Sequence, residues 1–310
     1  MSGDPLDQFR VQLDPGACRL ANLPERIWLF GGQFTTESAG PPKSLRESFS
    51  RQSFSAPPVA GRRWSGALDM PENYNDWWAH SGYDDLLAFE RDACHLARAV
   101  ILFPESEGAL TELGALSIDD SIVDRLLVVV QSKYVRDGLK NSFVYLGPLT
   151  RAEKRNNLCV IGVDKEKMLP PGDFDAITEF LDAKLVNPPV SAKLRPDDPT
   201  HRLLLVADLV DLFLVSRPVE VHEMLKLFGV TMTEPELERA TKLLAFFRLI
   251  RIEKHGLAPY LVRQQNLGKA WVNYAAKEGQ PAFDRSRFKI ARDQFLKADA
   301  RRKSILERVA

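Results

Sequence analysis

The sequence predicts an α/β fold built on a doubly wound parallel sheet, followed by a mostly α domain in winged helix-turn-helix order. Compact apolar runs at 26–34, 100–104 and 125–130 end in turn residues and alternate with helical patterns through about residue 190. A Pro-rich, charged stretch then runs from Pro188-Pro189 to Pro199. Beyond it, three helical patterns precede two strand runs around His255-Gly256, the order of a winged helix. The expected division is 1–190 for the sheet domain, 191–199 for a linker, 200–280 for the winged helix and 281–310 for a basic C-terminal helix.

The chain has 310 residues, enough for two ordinary domains, and 45% apolar content is ample for their cores. Lys plus Arg and Asp plus Glu both number 42, so no global field points to nucleic acid or membrane. Charge is nevertheless uneven, with nine basic against three acidic residues from Arg285 to Arg308. Any polyanion contact is expected there, on Arg285, Arg287, Lys289, Arg292, Arg301, Arg302 and Lys303; the alternative is a solvated charged helix. Cys18, Cys94 and Cys159 lie far apart and form no CxxC pair, which suggests neither a disulfide framework nor a zinc site and fits a reducing cytoplasm. MSGDPLDQFR lacks the regions of a secretory signal. The apolar run 203–215 is short for a bilayer span and carries Asp208 and Asp211, so it reads as a buried helix and no membrane association is expected.

In chain order, the first strand run IWLF ends at Gly31-Gly32. These glycines either admit the phosphate or ribose of a ligand or make a tight βα turn. From Thr35 to Gly66, Ser, Pro, Gly and Arg dominate and read as a loop insertion, serving as a lid, as a partner segment or as disordered chain. The aromatics of Asn73–Trp78 favour packing over stacking on a base. A helix is expected over Ser81–Ala99 with Ser81 as N-cap, and it carries Glu90. The central stretch Val100–Ser117 reads VILFPESEGALTELGALS: a strand ending at Pro104, a small-residue turn, and a helix beginning near Thr111. Further strands are expected at 125–130, 142–146 and 157–163, and a helix at 173–185. After the linker come helices at about 201–216, 219–228 and 234–249, the hairpin, and one or two basic helices.

The chemistry is expected at the central turn, because ligands of open α/β sheets bind outside the carboxyl ends of the strands. Glu112, placed in the first turn of its helix, would be held as the anion by the helix dipole and free N–H groups. Glu105, across the turn, could hold ribose hydroxyls or activate water. Two neighbouring acids divide their titrations, which suits cleavage of an N-glycosidic bond through an oxocarbenium-like state. The plain alternatives are a dipole-favourable helix residue and a solvated turn acid. Gly31, Gly32, Glu90, Ser106 and Gly108 complete the expected substrate-binding set. GxGxxG, GxxxxGK[ST] and GxSxG are absent, and Val221-His222-Glu223-Met224 fails as HExxH because Lys226 stands where the second His belongs. Neither a metal nor a cofactor is expected.

ILFPESEGALTELGALS, preceded by an acid-bearing helix and followed by LLVVVQSKY and SFVYLGPL, resembles the core of retron-associated effectors with a nucleoside 2-deoxyribosyltransferase-like domain. The resemblance is strong over about Leu87–Leu149, weaker at IWLFGG and architectural after residue 200. It implies a Rossmann-like domain in which Glu112, the Glu of the ELG segment, is the catalytic carboxylate and Glu105 is a second site acid. Glu90 falls roughly where deoxyribosyltransferases keep an acid that reads the base; an exposed helix charge is the competing reading. The resemblance further implies a toxin of antiphage defence, held inactive by a reverse transcriptase and its branched RNA–DNA (msDNA). When released, it would act as an N-glycosidase on NAD or a related nucleotide such as a deoxynucleotide. A homo-oligomer is compatible with this reading. The phosphoribohydrolase pattern PGGxGTxxE is not matched. Two other classes compete: a nucleic-acid-binding winged-helix regulator, disfavoured by Glu234, Glu236 and Glu238 at the start of the recognition-helix candidate, and a non-catalytic nucleotide sensor.

Overall fold

The computed structural model describes residues 5–35, 40–55, 65–80, 82–136, 140–162, 167–186, 191–264 and 269–309. They form two compact units, one made of 24–76 with 85–189 and the other of 1–23, 77–84 and 190–310.

The first unit is α/β. Its strands are β1 Ile27–Phe30, β2 Leu68–Asp69, β3 Ala99–Leu102, β4 Leu126–Gln131 and β5 Leu158–Ile161; its main helices are α1 Leu45–Ser55, α2 Leu86–His95, α3 Glu107–Ser117 and α4 Pro171–Val186. All five strands are parallel, in the order β2-β1-β3-β4-β5, with Ile27 opposite Ala99 and Phe30 opposite Leu102. β1 and β3 are buried at every residue, as parallel strands covered on both faces must be, which is why they read as unbroken apolar runs. Ile27, Leu29, Ala99, Ile101, Leu127 and Val129 pack with Leu45 and Phe49 of α1 and Phe174, Ile177 and Leu181 of α4. On the opposite parity, Trp28 donates its indole N–H to the Ala93 carbonyl of α2 at 3.1 Å. The strand order reverses between β1 and β3, so their carboxyl ends open the crevice where such sheets bind ligands.

Four sequence expectations change here. Leu45–Ser55, inside the stretch expected as a loop, is a helix. Ser44 accepts the Glu47 N–H at 3.0 Å and Glu47 reaches back to the Lys43 N–H at 2.7 Å, a close variant of the capping box. The short edge strand β2 was unforeseen, since two residues carry no periodicity. Ser142–Leu146 is not a strand: the chain is helical there and widens to a π-turn at Tyr145–Leu149. Pro148 has no N–H for an ordinary helical bond, and Thr150 bonds back to the Tyr145 carbonyl. Finally, the helix expected from Ser81 is shorter, with Asp85 capping it by accepting the Ala88 N–H at 2.7 Å; Ser81 lies outside the described residues. Tyr74 packs on Trp28 with ring centroids 5.5 Å apart, as expected of a core aromatic, whereas Trp78 is exposed.

The second unit contains α5 Pro199–Phe213, β6 Val215–Ser216, α6 Pro218–Leu227, α7 Glu234–Phe246, the hairpin of β7 Ile250–His255 and β8 Ala258–Arg263, then α8 Arg285–Ala298 and α9 Ala300–Val309. β6, β8 and β7 form an antiparallel sheet in that order. Pro199, Pro218 and Pro235 occupy first helical turns, where a missing N–H is harmless. Phe9 of the N-terminal helix Pro5–Gln12 packs edge-on to Phe213 and Tyr274. Arg19–Leu20 pairs with both Val272–Asn273 and Ala192–Lys193, so part of the linker stretch is a strand.

The basic tail is mostly committed to its own unit. Arg285 pairs with the fully buried Asp208 and with Asp211, and Lys289 reaches Asp211 at 3.2 Å. Arg292 is buried and donates to the Leu212 carbonyl at 2.6 Å, while Arg302 pairs with Glu220 and Asp299. Of the residues expected to meet a polyanion, Arg287, Arg301 and Lys303 are exposed. The charge excess was legible in sequence, but its consumption by Asp208, Asp211 and Glu220 was not, because those partners lie 74 or more residues away in the chain and meet the tail only through the fold. Among the described residues, no helix is long and apolar enough to cross a membrane.

Candidate functional site

The site forms where β1 and β3 end. After β3 the chain runs through Phe103, Pro104 and Glu105 to Ser106, which caps α3 by accepting the Ala109 N–H at 3.1 Å. The helix therefore starts at Glu107 rather than near Thr111, and Glu112 lies beyond its first turn. This corrects the expected electrostatics: Glu112 is past the free N–H groups that would favour its anion. Burial instead pushes its carboxyl up to about 7, with the Arg46 cation opposing and the Glu72 charge adding. Its Oε2 atom is buried and has no hydrogen-bond partner among the described residues.

Glu90, on α2, is only 6% exposed. Burial, then the charges of Glu112 and Glu72, push it up to about 8, and Arg46 draws it back. Glu90 and Glu112 thus form a coupled pair in which Glu112 yields its proton first. At neutral pH Glu90 largely keeps its proton while Glu112 is about half ionised, which makes the first carboxyl a donor and leaves the second able to accept.

Glu105 is placed differently from the expected second site acid. Its two oxygens accept the backbone N–H groups of Leu45 at 2.7 Å and Arg46 at 2.9 Å, the first free donors of α1. Burial raises its carboxyl, and those N–H groups, the Lys167 charge and the Gly32 N–H pull it down. Gly31 and Gly32 serve this same contact. A Cβ on Gly31 would stand 3.0 Å from the Arg46 and Phe103 Cβ atoms, and one on Gly32 would stand 3.0 Å from the Ser44 Cβ and 3.1 Å from the Glu105 Cβ. The space beside the glycines is filled by protein, so close packing accounts for both. Ser106 and Gly108 lie exposed at the start of α3.

Two site residues escaped the sequence reading. Arg46, with a side chain 3% exposed, donates to the Gly32 carbonyl at 3.3 Å and holds Glu72 through both guanidinium nitrogens, one at 2.7 Å. Its Nε is buried without a partner, and its guanidinium lies 5.5 Å from the centroid of the Phe34 ring. Glu72, from the turn Pro71–Tyr74, has a side chain 47% exposed. The S-x-x-E signature at Ser44–Glu47 could have revealed the helix that carries Arg46; nothing local marks Glu72. Arg46, Glu72, Glu90 and Glu112 therefore form one electrostatic cluster, while Glu105 acts through the backbone of α1. His95 is buried and its Nε2 lies 3.3 Å from the Asp119 carboxylate. Among the described residues, no group of three or more His, Cys, Asp or Glu side chains is arranged to hold a metal ion.

Comparison with known proteins places residues 42–252 within the model of one family, described as STM3845 retron effector protein. All members of the cluster fall inside that range. The chain is also 34% identical over 92 residues to the "Retron Ec86 putative ribosyltransferase/DNA-binding protein" of Escherichia coli. That match covers 29% of this chain and 29% of the relative, so it spans less than a third of the relative's length.

Proposed function

The chain belongs to the STM3845 retron effector family, and on that premise we propose that it is an N-glycosidase whose Glu112 carboxylate stabilises or captures the anomeric carbon of a nucleotide, NAD or a deoxynucleotide. The observation that carries this reading is the buried, unpartnered Glu112 oxygen together with a second buried acid, Glu90, whose carboxyl burial pushes up. The ribosyltransferase in the relative's name agrees with chemistry at an anomeric carbon.

In the proposed reaction the C1′–N bond breaks and its electron pair leaves with the base. Glu112, ionised, faces the positive charge that develops at C1′. Glu90, holding its proton, donates to the base; a neutral leaving base takes that proton, whereas a pyridinium base departs without it. Water then bonds through oxygen to C1′ and gives its proton to Glu112. Glu105 is reassigned from catalysis to positioning, since both its oxygens already hold α1.

Two further parts of the reading concern partners. The order α5-β6-α6-α7-β7-β8, with its three-stranded antiparallel sheet, supports a winged helix. Its α7 begins with Glu234 and Glu236 in a Thr233 capping box, an acidic end poorly suited to phosphates, so we assign this face to docking on a restraining reverse transcriptase and any contact with msDNA to the basic tail. Arg287, Arg301 and Lys303 are its exposed basic contacts.

Incubating the purified chain, free of restraining partner, with NAD or deoxynucleotides should release base, and Glu112→Gln should abolish release. No turnover of any nucleotide under activating conditions would favour the sensor. Salt-sensitive duplex binding without turnover would favour the regulator.

A further inference from the structure

We infer that Arg46 is an anion subsite that receives the 5′-phosphate of the substrate, with Glu72 as a placeholder that the phosphate displaces. This rests on the proposed function only in placing a sugar at Glu112; the binding it asserts is independent of turnover.

A guanidinium is an anion binder by shape, presenting paired N–H donors that fit a carboxylate or a phosphate equally. Arg46 uses Nη1 and Nη2 on Glu72, with Nη1 also on the Gly32 carbonyl, and its buried Nε has no partner. An unmade hydrogen bond on a buried cation is costly, and a ligand bearing several acceptor oxygens would satisfy it. The partner now in place is also the replaceable one. Arg46 is 3% exposed, whereas Glu72 is 47% exposed and sits on a short turn, so Glu72 can swing to solvent while Arg46 cannot.

The direction is set from the other side. Arg46 donates to the Gly32 carbonyl where β1 ends, beside the end of β3 that leads into the helix of Glu112, so an anion bound to it lies at the sheet edge that carries the acids, as a 5′-phosphate lies close to its own C1′. The N-terminus of α1 does not compete for that anion, because Glu105 already occupies its first N–H groups and thereby fixes where Arg46 points. The site is thus built for nucleotides over nucleosides.

Sugar phosphates test this without a base and without catalysis. Titration calorimetry on the full chain would compare ribose 5-phosphate with ribose, and 2-deoxyribose 5-phosphate with 2-deoxyribose. At least one phosphorylated sugar should bind about tenfold or more tighter than its parent, a difference of about 1.4 kcal/mol. Arg46→Gln should erase that ratio, and Glu72→Gln should tighten the phosphorylated sugar several-fold while leaving the unphosphorylated one unchanged. Equal binding of both sugars to the wild type overturns the inference, as does an unchanged ratio in folded Arg46→Gln. If Arg46→Gln does not fold, the exposed Glu72→Gln decides alone, and no tightening overturns it. A preserved phosphate ratio with no base release from any nucleotide would count against the N-glycosidase and leave the subsite standing.

Discussion

The Oε1 atom of Glu105 accepts the backbone N–H of Arg46 at 2.9 Å, so the acid at the end of β3 aims the cation that faces the acid pair. Glu105 and Arg46 are 59 residues apart in the chain, and the contact joins the turn after β3 to a helix that follows β1.

This contact predicts that Glu105 affects stability more than Glu112 does. Glu105→Ala leaves two buried N–H groups of α1 without their acceptor and should cost about 1–3 kcal/mol. Glu112→Gln removes a buried carboxyl that has one oxygen unpartnered and should leave the urea midpoint unchanged or raised. A Glu105→Ala midpoint equal to wild type would remove the positioning role.

The raised acids give the first unit a pH dependence of definite sign. Glu90 and Glu112 move from 4.5 to about 8 and about 7 on folding. Below the unfolded value both states are protonated and there is no penalty. As pH rises through it, the unfolded chain releases protons that the folded chain keeps, so stability falls until pH passes about 8. In urea unfolding across that window, Glu90→Gln should decline less steeply than wild type. An equal slope would show that Glu90 is not held protonated.

Release of a neutral base from a deoxynucleotide should need Glu112 ionised and Glu90 protonated, which places the rate maximum for that substrate between about 7 and about 8. Loss of the Glu72 charge lowers both carboxyls, so Glu72→Gln should move both limbs of the profile to lower pH. Glu90→Gln should remove the alkaline limb. Rates measured across this range on all three proteins check the assignment, and a Glu72→Gln profile superimposable on wild type would reject it.

The basic tail separates into structural and exposed cations. Arg285→Ala would leave Asp208 buried without its ion-pair partner and should cost about 3–5 kcal/mol, read from thermal or urea unfolding of the second unit. Arg287→Ala, at an exposed position, should stay within about 0.5 kcal/mol. Loss of partner binding is therefore interpretable at Arg287, Arg301 and Lys303, and at Arg285 only after folding has been checked.

Sequence patterning determined what depends on neighbours along the chain. Unbroken apolar runs located β1, β3 and β4, because strands buried on both faces leave no room for polar alternation. The turn after β3 was legible for the same reason: an apolar run stopped by Pro104 marks where a strand meets a helix. Helix boundaries were less legible, since Ser106 and Thr111 are both plausible near a start and only the bond from Ala109 to Ser106 selects between them. That shift takes Glu112 away from the helix N-terminus, and burial then moves its carboxyl up rather than down.

Composition alone also suggested a loop across 35–66, although the Ser44–Glu47 cap was present to read. Tertiary structure alone decided the chemistry of the site. A carboxyl's charge state and a guanidinium's partner depend on burial and on groups brought near through space. Arg46, Glu72, Glu90 and Glu112 come from four separate segments, and they become one cluster only when the order β2-β1-β3 sets the ends of β1 and β3 side by side.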